Sequence, residues 1–194
     1  MGLKASLSIP FAKFVKLKND KWAKTPVKTQ EKVFKSLIKK ATKTQFGKDH
    51  DFKSIDSYEA FKSKVPIREY EGLKPYVEKI VAGEADILWP GKPTYLSKTS
   101  GTTSGAKYIP LTKESIPYHI QAARDSILHY IAETNKTHFV DGKMIFLQGS
   151  PVLDNSGKIP LGRLSGIVAH HVPDYLQKNR MPSLKTNSIE DWEE

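Results

Sequence analysis

Between Leu96 and Lys107 the chain reads Leu-Ser-Lys-Thr-Ser-Gly-Thr-Thr-Ser-Gly-Ala-Lys. Six hydroxyl side chains (Ser97, Thr99, Ser100, Thr102, Thr103, Ser104), two glycines and a closing lysine fall within this run. Such a composition suits phosphate. Gly101 and Gly105 can take positive φ and let the backbone approach a ligand closely. Successive backbone N–H groups in a turn of this kind form an anion-binding concavity. The hydroxyls add neutral donors, and Lys107 adds a mobile point charge. The phosphate-binding candidates are therefore Thr99, Ser100, Gly101, Thr102, Thr103, Ser104, Gly105 and Lys107.

The spacing excludes three better-known loops. Gly101 and Gly105 stand four apart with Lys107 two residues beyond, so the run is not Gly-x-x-x-x-Gly-Lys-[Ser/Thr]. No Gly-x-Gly-x-x-Gly occurs, and no Gly-x-Ser-x-Gly places Ser104 on a nucleophile elbow. The plain alternative is a polar surface loop. The Ala-Lys ending and the position between two expected strands, Thr94–Leu96 and Tyr108–Leu111, favour phosphate.

The elements that must position this loop read as α/β, a helical N-terminal region followed by a mixed sheet with flanking helices. Phe11, Phe14, Val15 and Leu17 predict a short amphipathic helix over 9–17. Val33, Phe34, Leu37, Ile38 and Ala41 predict a second, capped by Thr29 and stopped near Gly47. Asp56 and Glu59 resemble a capping box before Phe61. Tyr70, Leu73, Val77, Ile80 and Val81 share one helical face, with Gly83 as the stop, and read as core. Ile87 to Gly91 reads as a short extended piece and a turn. Thr112 is expected to cap a long helix to Glu133, and Met144–Leu147 to form a buried strand. From Asp154 to Pro173 the chain is rich in Gly, Ser and Pro. It is expected to be a loop lining a substrate cleft, with Arg163 and His170 as candidates. His170 and His171 are adjacent and face apart, so no metal site is expected there. Ser188–Glu194 reads as the capped start of a helix that is then cut off.

The chain has 194 residues, 38% hydrophobic and 27% charged, which fits one ordinary globular domain. It has no cysteine, which excludes disulfides, thiolate catalysis and cysteine zinc sites and agrees with a cytoplasmic location. The net charge of +10 is uneven: residues 1–48 carry 13 Lys, no Arg and 2 acids, while the remainder carries 18 basic and 19 acidic groups. The segment could address an anionic surface, membrane or nucleic acid. The plainer reading, preferred here, is a solvated lysine-rich face. Lysine without arginine speaks against specific nucleic-acid recognition. No apolar run is long enough to span a membrane, and lysines interrupt any signal-peptide core. Met1-Gly2-Leu3-Lys4-Ala5-Ser6 matches the myristoylation pattern, which is short enough to recur by chance.

Leu96–Lys107 resembles the first AMP-binding motif of the acyl-CoA synthetase, luciferase and adenylation-domain superfamily. Val65-Pro66-Ile67, Tyr70-Glu71-Gly72-Leu73-Lys74-Pro75-Tyr76, Ile80 to Gly83 and Ile109-Pro110-Leu111-Thr112 narrow the resemblance to the auxin-responsive Gretchen Hagen family of acyl acid–amido synthetases. It runs from about Val33 to the end. It implies that 1–194 is the N-terminal part of a large adenylate-forming domain, with 1–48 a lysine-rich helical region and 94–112 the strand–loop–strand. It also implies ATP and Mg²⁺, a small carboxylic acid and an amino acid as substrates, and an acyl-adenylate intermediate. The later motifs and the C-terminal domain are expected to lie beyond this chain. Turnover by these residues alone is therefore not expected, and the catalytic residues themselves are unknown. The alternatives are an acyl-CoA or aryl-CoA ligase using a thiol acceptor, and a non-catalytic lysine-rich module for anionic surfaces.

Overall fold

The computed structural model describes residues 2–99, 105–189 and 191. Its helices are α1 (Leu3–Ala23), α2 (Pro26–Ala41), α3 (Gln45–Asp49), α4 (Tyr58–Lys64), α5 (Tyr70–Val81), α6 (Ile116–Thr134), α7 (Leu164–Ala169), α8 (Asp174–Gln177) and α9 (Leu184–Asn187). Its strands are β1 (Tyr95–Lys98), β2 (Tyr108–Leu111), β3 (Met144–Ile145), β4 (Leu161–Gly162) and β5 (Arg180–Met181). The expected α/β class is the one observed. One sheet has the order β2-β1-β4, and β3 pairs with β5 in parallel.

The chain divides into two compact units. One comprises residues 1–25, 114–152 and 162–194; the other comprises 26–113 and 153–161. In the first, α1 packs on α6, where Ala12, Val15, Leu128 and Ile131 form the core with Ile9 and Phe139 against it. The second has two clusters. Ile38, Ala41, Phe52 and Ile55 gather Phe34, Phe46, Phe61 and Trp89. Ile80, Ile87, Leu96 and Ile159 gather Tyr76, Leu88, Tyr108 and Leu161.

Several boundaries differ from expectation, each for a local reason. α1 is a 21-residue helix, not a short one over 9–17. Small inward residues, Ala5 and Ala12, let it lie close on α6, and its lysines sit outside without interrupting it. α2 starts at Pro26, whose fixed φ suits a first helical position, so Thr29 lies inside the first turn. At α4 the cap is Ser57, whose hydroxyl accepts the Ala60 N–H at 3.2 Å. Ser115, not Thr112, precedes α6, which has Pro117 in its first turn. The strand expected at Met144–Leu147 ends at Ile145, and Ile145 and Leu147 are 74% and 96% exposed, so it is not a buried strand. The expected loop 154–173 contains β4 and α7. Gly166 packs so tightly on the Ser150 carbonyl that no Cβ fits there. Ser188 is the C-cap of α9, whose N-cap Ser183 accepts the Thr186 N–H at 3.0 Å; most of the helix expected over Ser188–Glu194 lies outside the described residues.

Candidate functional site

Strands β1 and β2, which flank the hydroxyl-rich run in sequence, pair antiparallel. Their register pairs Tyr95 with Leu111, Leu96 with Pro110, Ser97 with Ile109 and Lys98 with Tyr108. Pro110 sits in β2 beside Leu96, whose own N–H donates to Pro160 O at 2.9 Å on the other side of β1. Leu96 and Ser97 are buried, so the hairpin is rooted in the core of its unit.

Pairing continues one step past the strands. The Thr99 N–H donates to the Lys107 carbonyl at 3.0 Å, and the Lys107 N–H donates to Thr99 Oγ1 at 3.3 Å. Thr99 and Lys107 thus form a closed neck one step beyond the strands. Ser100, Gly101, Thr102, Thr103 and Ser104, five of the phosphate-binding candidates, lie outside the described residues. Gly105 is described. Its φ is 76°, and no atom lies within 4 Å of where a Cβ would stand, so glycine is needed there for conformation and not for room.

Helix α5 supplies a residue that sequence reasoning assigned only to the core stripe. The Tyr70 hydroxyl accepts the Tyr108 N–H at 2.9 Å, capping the outer edge of β2 where the hairpin leaves the sheet. Its ring faces Lys107 Nζ at 5.5 Å. An ammonium over a phenol ring is held by the ring's negative face, a contact worth about 0.5–1 kcal/mol at exposed sites. Lys107 is therefore seated but not ion-paired to a carboxylate among the described residues. Such a lysine is available to an incoming anion. The signal that could have found Tyr70 is its place at the first position of α5, upstream of a loop with a lone lysine. Without the fold, nothing joins the two.

Near the hairpin, Asp154 opens a tight turn and bridges to Leu161. Its carboxyl accepts from Ser156, which holds it below the usual carboxylate range, and Lys98 adds a weaker pull in the same direction. A cavity of about 110 Å³ lined by Ile80, Ile87, Trp89 and Pro110 lies on the same unit. It is smaller than the roughly 300 Å³ at which small-molecule sites begin.

Arg163 and His170 belong to the other unit and flank α7. Arg163 is the exposed N-cap residue, its stem lying against Gly149. His170 is the C-cap residue, and its Nε2–H donates to Pro151 O at 2.6 Å. That bond fixes the ring's tautomer and uses Nε2 structurally. Among the described residues no group of three His, Asp or Glu could hold a metal ion, and no helix is long and apolar enough to cross a membrane.

The model of the GH3 family N-terminal domain matches residues 17–194. The chain is 30% identical over 99 residues to the indole-3-acetic acid-amido synthetase GH3.2 of Arabidopsis thaliana, covering 50% of this chain and 18% of that protein. It is 33% identical over 104 residues to the jasmonoyl–L-amino acid synthetase GH3.5 of Oryza sativa subsp. japonica, covering 52% of this chain and 17% of that one. It thus spans less than a fifth of either relative. Among solved structures, AtGH3.15 acyl acid amido synthetase in complex with 2,4-DB superposes with a TM-score of 0.65 and 21% identity, over 81% of this chain and 28% of that one. That likeness establishes the fold.

Proposed function

This chain belongs to the GH3 family, matched along its N-terminal domain, and from that premise we propose that it forms the phosphate-binding part of an ATP-dependent acyl acid–amido synthetase. In the first step a carboxylate oxygen of the acid attacks the α-phosphorus of ATP. The bond to the β-phosphate breaks, and pyrophosphate leaves. In the second step the amine of an amino acid attacks the acyl carbon and AMP leaves. The substrates named for the relatives, indole-3-acetic acid and jasmonic acid with amino acids, support the class of reaction.

The observation that carries this reading is the closed neck of Thr99 and Lys107 with Lys107 seated on Tyr70. The closed neck fixes the backbone of Thr99 and Lys107 before ligand arrives, and positioning of this kind is what the first step needs. Lys107 would leave the Tyr70 ring for a phosphate oxygen, a short exchange of a weak contact for a charge-assisted one. The phosphate-binding set proposed is Thr99, Ser100, Gly101, Thr102, Thr103, Ser104, Gly105 and Lys107. The described residues offer no metal cage. Magnesium bound with the nucleotide would neutralise phosphate charge in the first step.

The test is ATP–pyrophosphate exchange driven by a carboxylic acid, measured on the full-length protein. Gly101→Val and Lys107→Ala are expected to lower exchange while the melting temperature stays at the wild-type value. Exchange at the wild-type rate in both variants would remove the loop from the phosphate site. Requirement for an amino acid, not coenzyme A, in product formation decides between an amine and a thiol acceptor.

A further inference from the structure

We propose that the outer face of α1 is a docking surface for an anionic lipid bilayer. The helix is apolar on two opposite sides. On its inner side Ala5, Ala12 and Val15 are buried, and Ala12 and Val15 pack with Leu128 and Ile131 of α6, with Ile9 half-buried against them. At 100° per residue, Leu7, Phe11, Phe14 and Leu17 fall on the opposite side. They are 60%, 47%, 64% and 64% exposed, and Trp22 beyond them is 54% exposed. A contiguous stripe of this size is more than the scattered apolar residues of an ordinary surface.

Charge decides what covers it. Lys4, Lys18 and Lys21 stand among the apolar residues and Lys13 at their border. The only acid in the helix, Asp20, lies toward the inner side and is paired with Lys16 at 3.1 Å. Among α1's own residues the outer side is therefore apolar and positive, with no acid. A helix lying in the membrane plane needs that combination: rings and aliphatic bodies at the acyl boundary, ammonium groups extending to headgroup phosphates. Nucleic acid would leave Leu7, Phe14 and Leu17 in water. α1 does not cross the bilayer, and its 21 residues lie along it over roughly 30 Å. Leu7, Phe11 and Phe14 precede residue 17, where the GH3 family match begins, and Leu17 and Trp22 fall within it. The inference is independent of the adenylation reading.

Flotation of the full-length protein tests it, with vesicles of phosphatidylcholine alone or with phosphatidylserine. The protein is expected to float with phosphatidylserine vesicles, to be released by added salt, and to stay behind with phosphatidylcholine alone. Lys13→Gln, Lys18→Gln and Lys21→Gln should each lower partitioning about fivefold, and Phe11→Glu with Phe14→Glu should abolish it, with circular dichroism unchanged. Equal recovery on both vesicles, or flotation retained by the Phe variant, overturns the proposal. Phe14→Cys separates the rival occupants. It should react with a maleimide in the absence of vesicles and be protected by phosphatidylserine vesicles. Protection without vesicles would show that the rest of the protein, or a second copy, covers the stripe, and would also overturn it.

Discussion

The Tyr70 hydroxyl and the Tyr70 ring make different contacts, one to the Tyr108 N–H and one to the Lys107 ammonium, so substitution can separate them. Tyr70→Phe keeps the ring and leaves the Tyr108 N–H without its acceptor, costing about 1 kcal/mol for a half-buried bond. On the proposed synthetase reading, its melting temperature should fall while the KM for ATP of the full-length protein stays near wild type. Tyr70→Leu removes the seat of Lys107 as well, and its KM for ATP should rise beyond that of Tyr70→Phe. Equal KM values in the two variants would show that the ring does not position Lys107. Thr99 and Lys107 were legible in the sequence because hydroxyls, glycines and a lysine are chemically conspicuous. Tyr70 was not, because Val77 and Ile80 on the same helical face really are core, and the tyrosine reads as part of their stripe. A second residue-level test concerns Asp51. A hydrogen bond from Lys64 at 2.7 Å, with a second from Ser54 at 2.6 Å, holds its carboxyl below the ordinary range. A depressed carboxylate stabilises the fold above its unfolded pKa of about 3.9 and loses that contribution as pH falls through the folded value. Lys64→Gln should therefore narrow the melting-temperature difference from wild type as the pH is lowered below that range. A difference that grows on acidification would contradict the pairing.

At the scale of elements, periodicity found α2, α5 and α6 and misplaced the starts of two of them, because caps depend on which hydroxyl or proline the backbone meets first. The hairpin was found because its two strands flank a run that cannot be regular. The start of β3 was expected, within a longer strand, but its partner β5 was not, since two residues carry no periodicity and the pair is distant in sequence. Arg180 shows what that pair encloses. Its residue is 9% exposed, its guanidinium stacks on Phe146 at 5.2 Å, and Nε and Nη1 have no hydrogen-bond partner among the described residues. Burial pushes its pKa down. A buried charge with donors unmet costs more than an apolar side chain of similar length. Arg180→Met should leave the melting temperature of this chain unchanged or raise it; a fall of several degrees would mean that the guanidinium is satisfied in solution. Gly47 in α3 tests the opposite extreme. A Cβ there would run into the Ala41 carbonyl oxygen, where α2 meets α3. Gly47→Ala should cost about 1–3 kcal/mol by overpacking, read as a lower urea midpoint at unchanged slope.

Across the whole molecule, the lysine excess of the first 48 residues was plain from composition, but its meaning was not. Counting charges cannot show that α1 buries one apolar face and exposes another, and the solvated-face reading treats both alike. The division into two units was equally hidden, because each is assembled from segments far apart in sequence: residues 26–113 join 153–161, and residues 1–25 join 114–152 and 162–194. Only packing reveals which segments share a core. Each unit has its own, so each should respond to damage in its own core. Ile131, 1% exposed, belongs to the cluster of α1 and α6; Ile80, 3% exposed, belongs to the cluster under the β1–β2 hairpin. Either residue changed to Ala should cost about 2–5 kcal/mol through lost contacts and a residual cavity. Hydrogen exchange followed by mass spectrometry locates that loss. Ile131→Ala should lower protection first in α1 and α6 and leave α2 and α5 near wild type, because local opening follows the cooperative unit that has been weakened. Ile80→Ala should lower protection in α5 and the hairpin and spare α1. If either variant loses protection evenly over all these helices, the two cores unfold as one, and the β1–β2 hairpin cannot loosen without α1 following it.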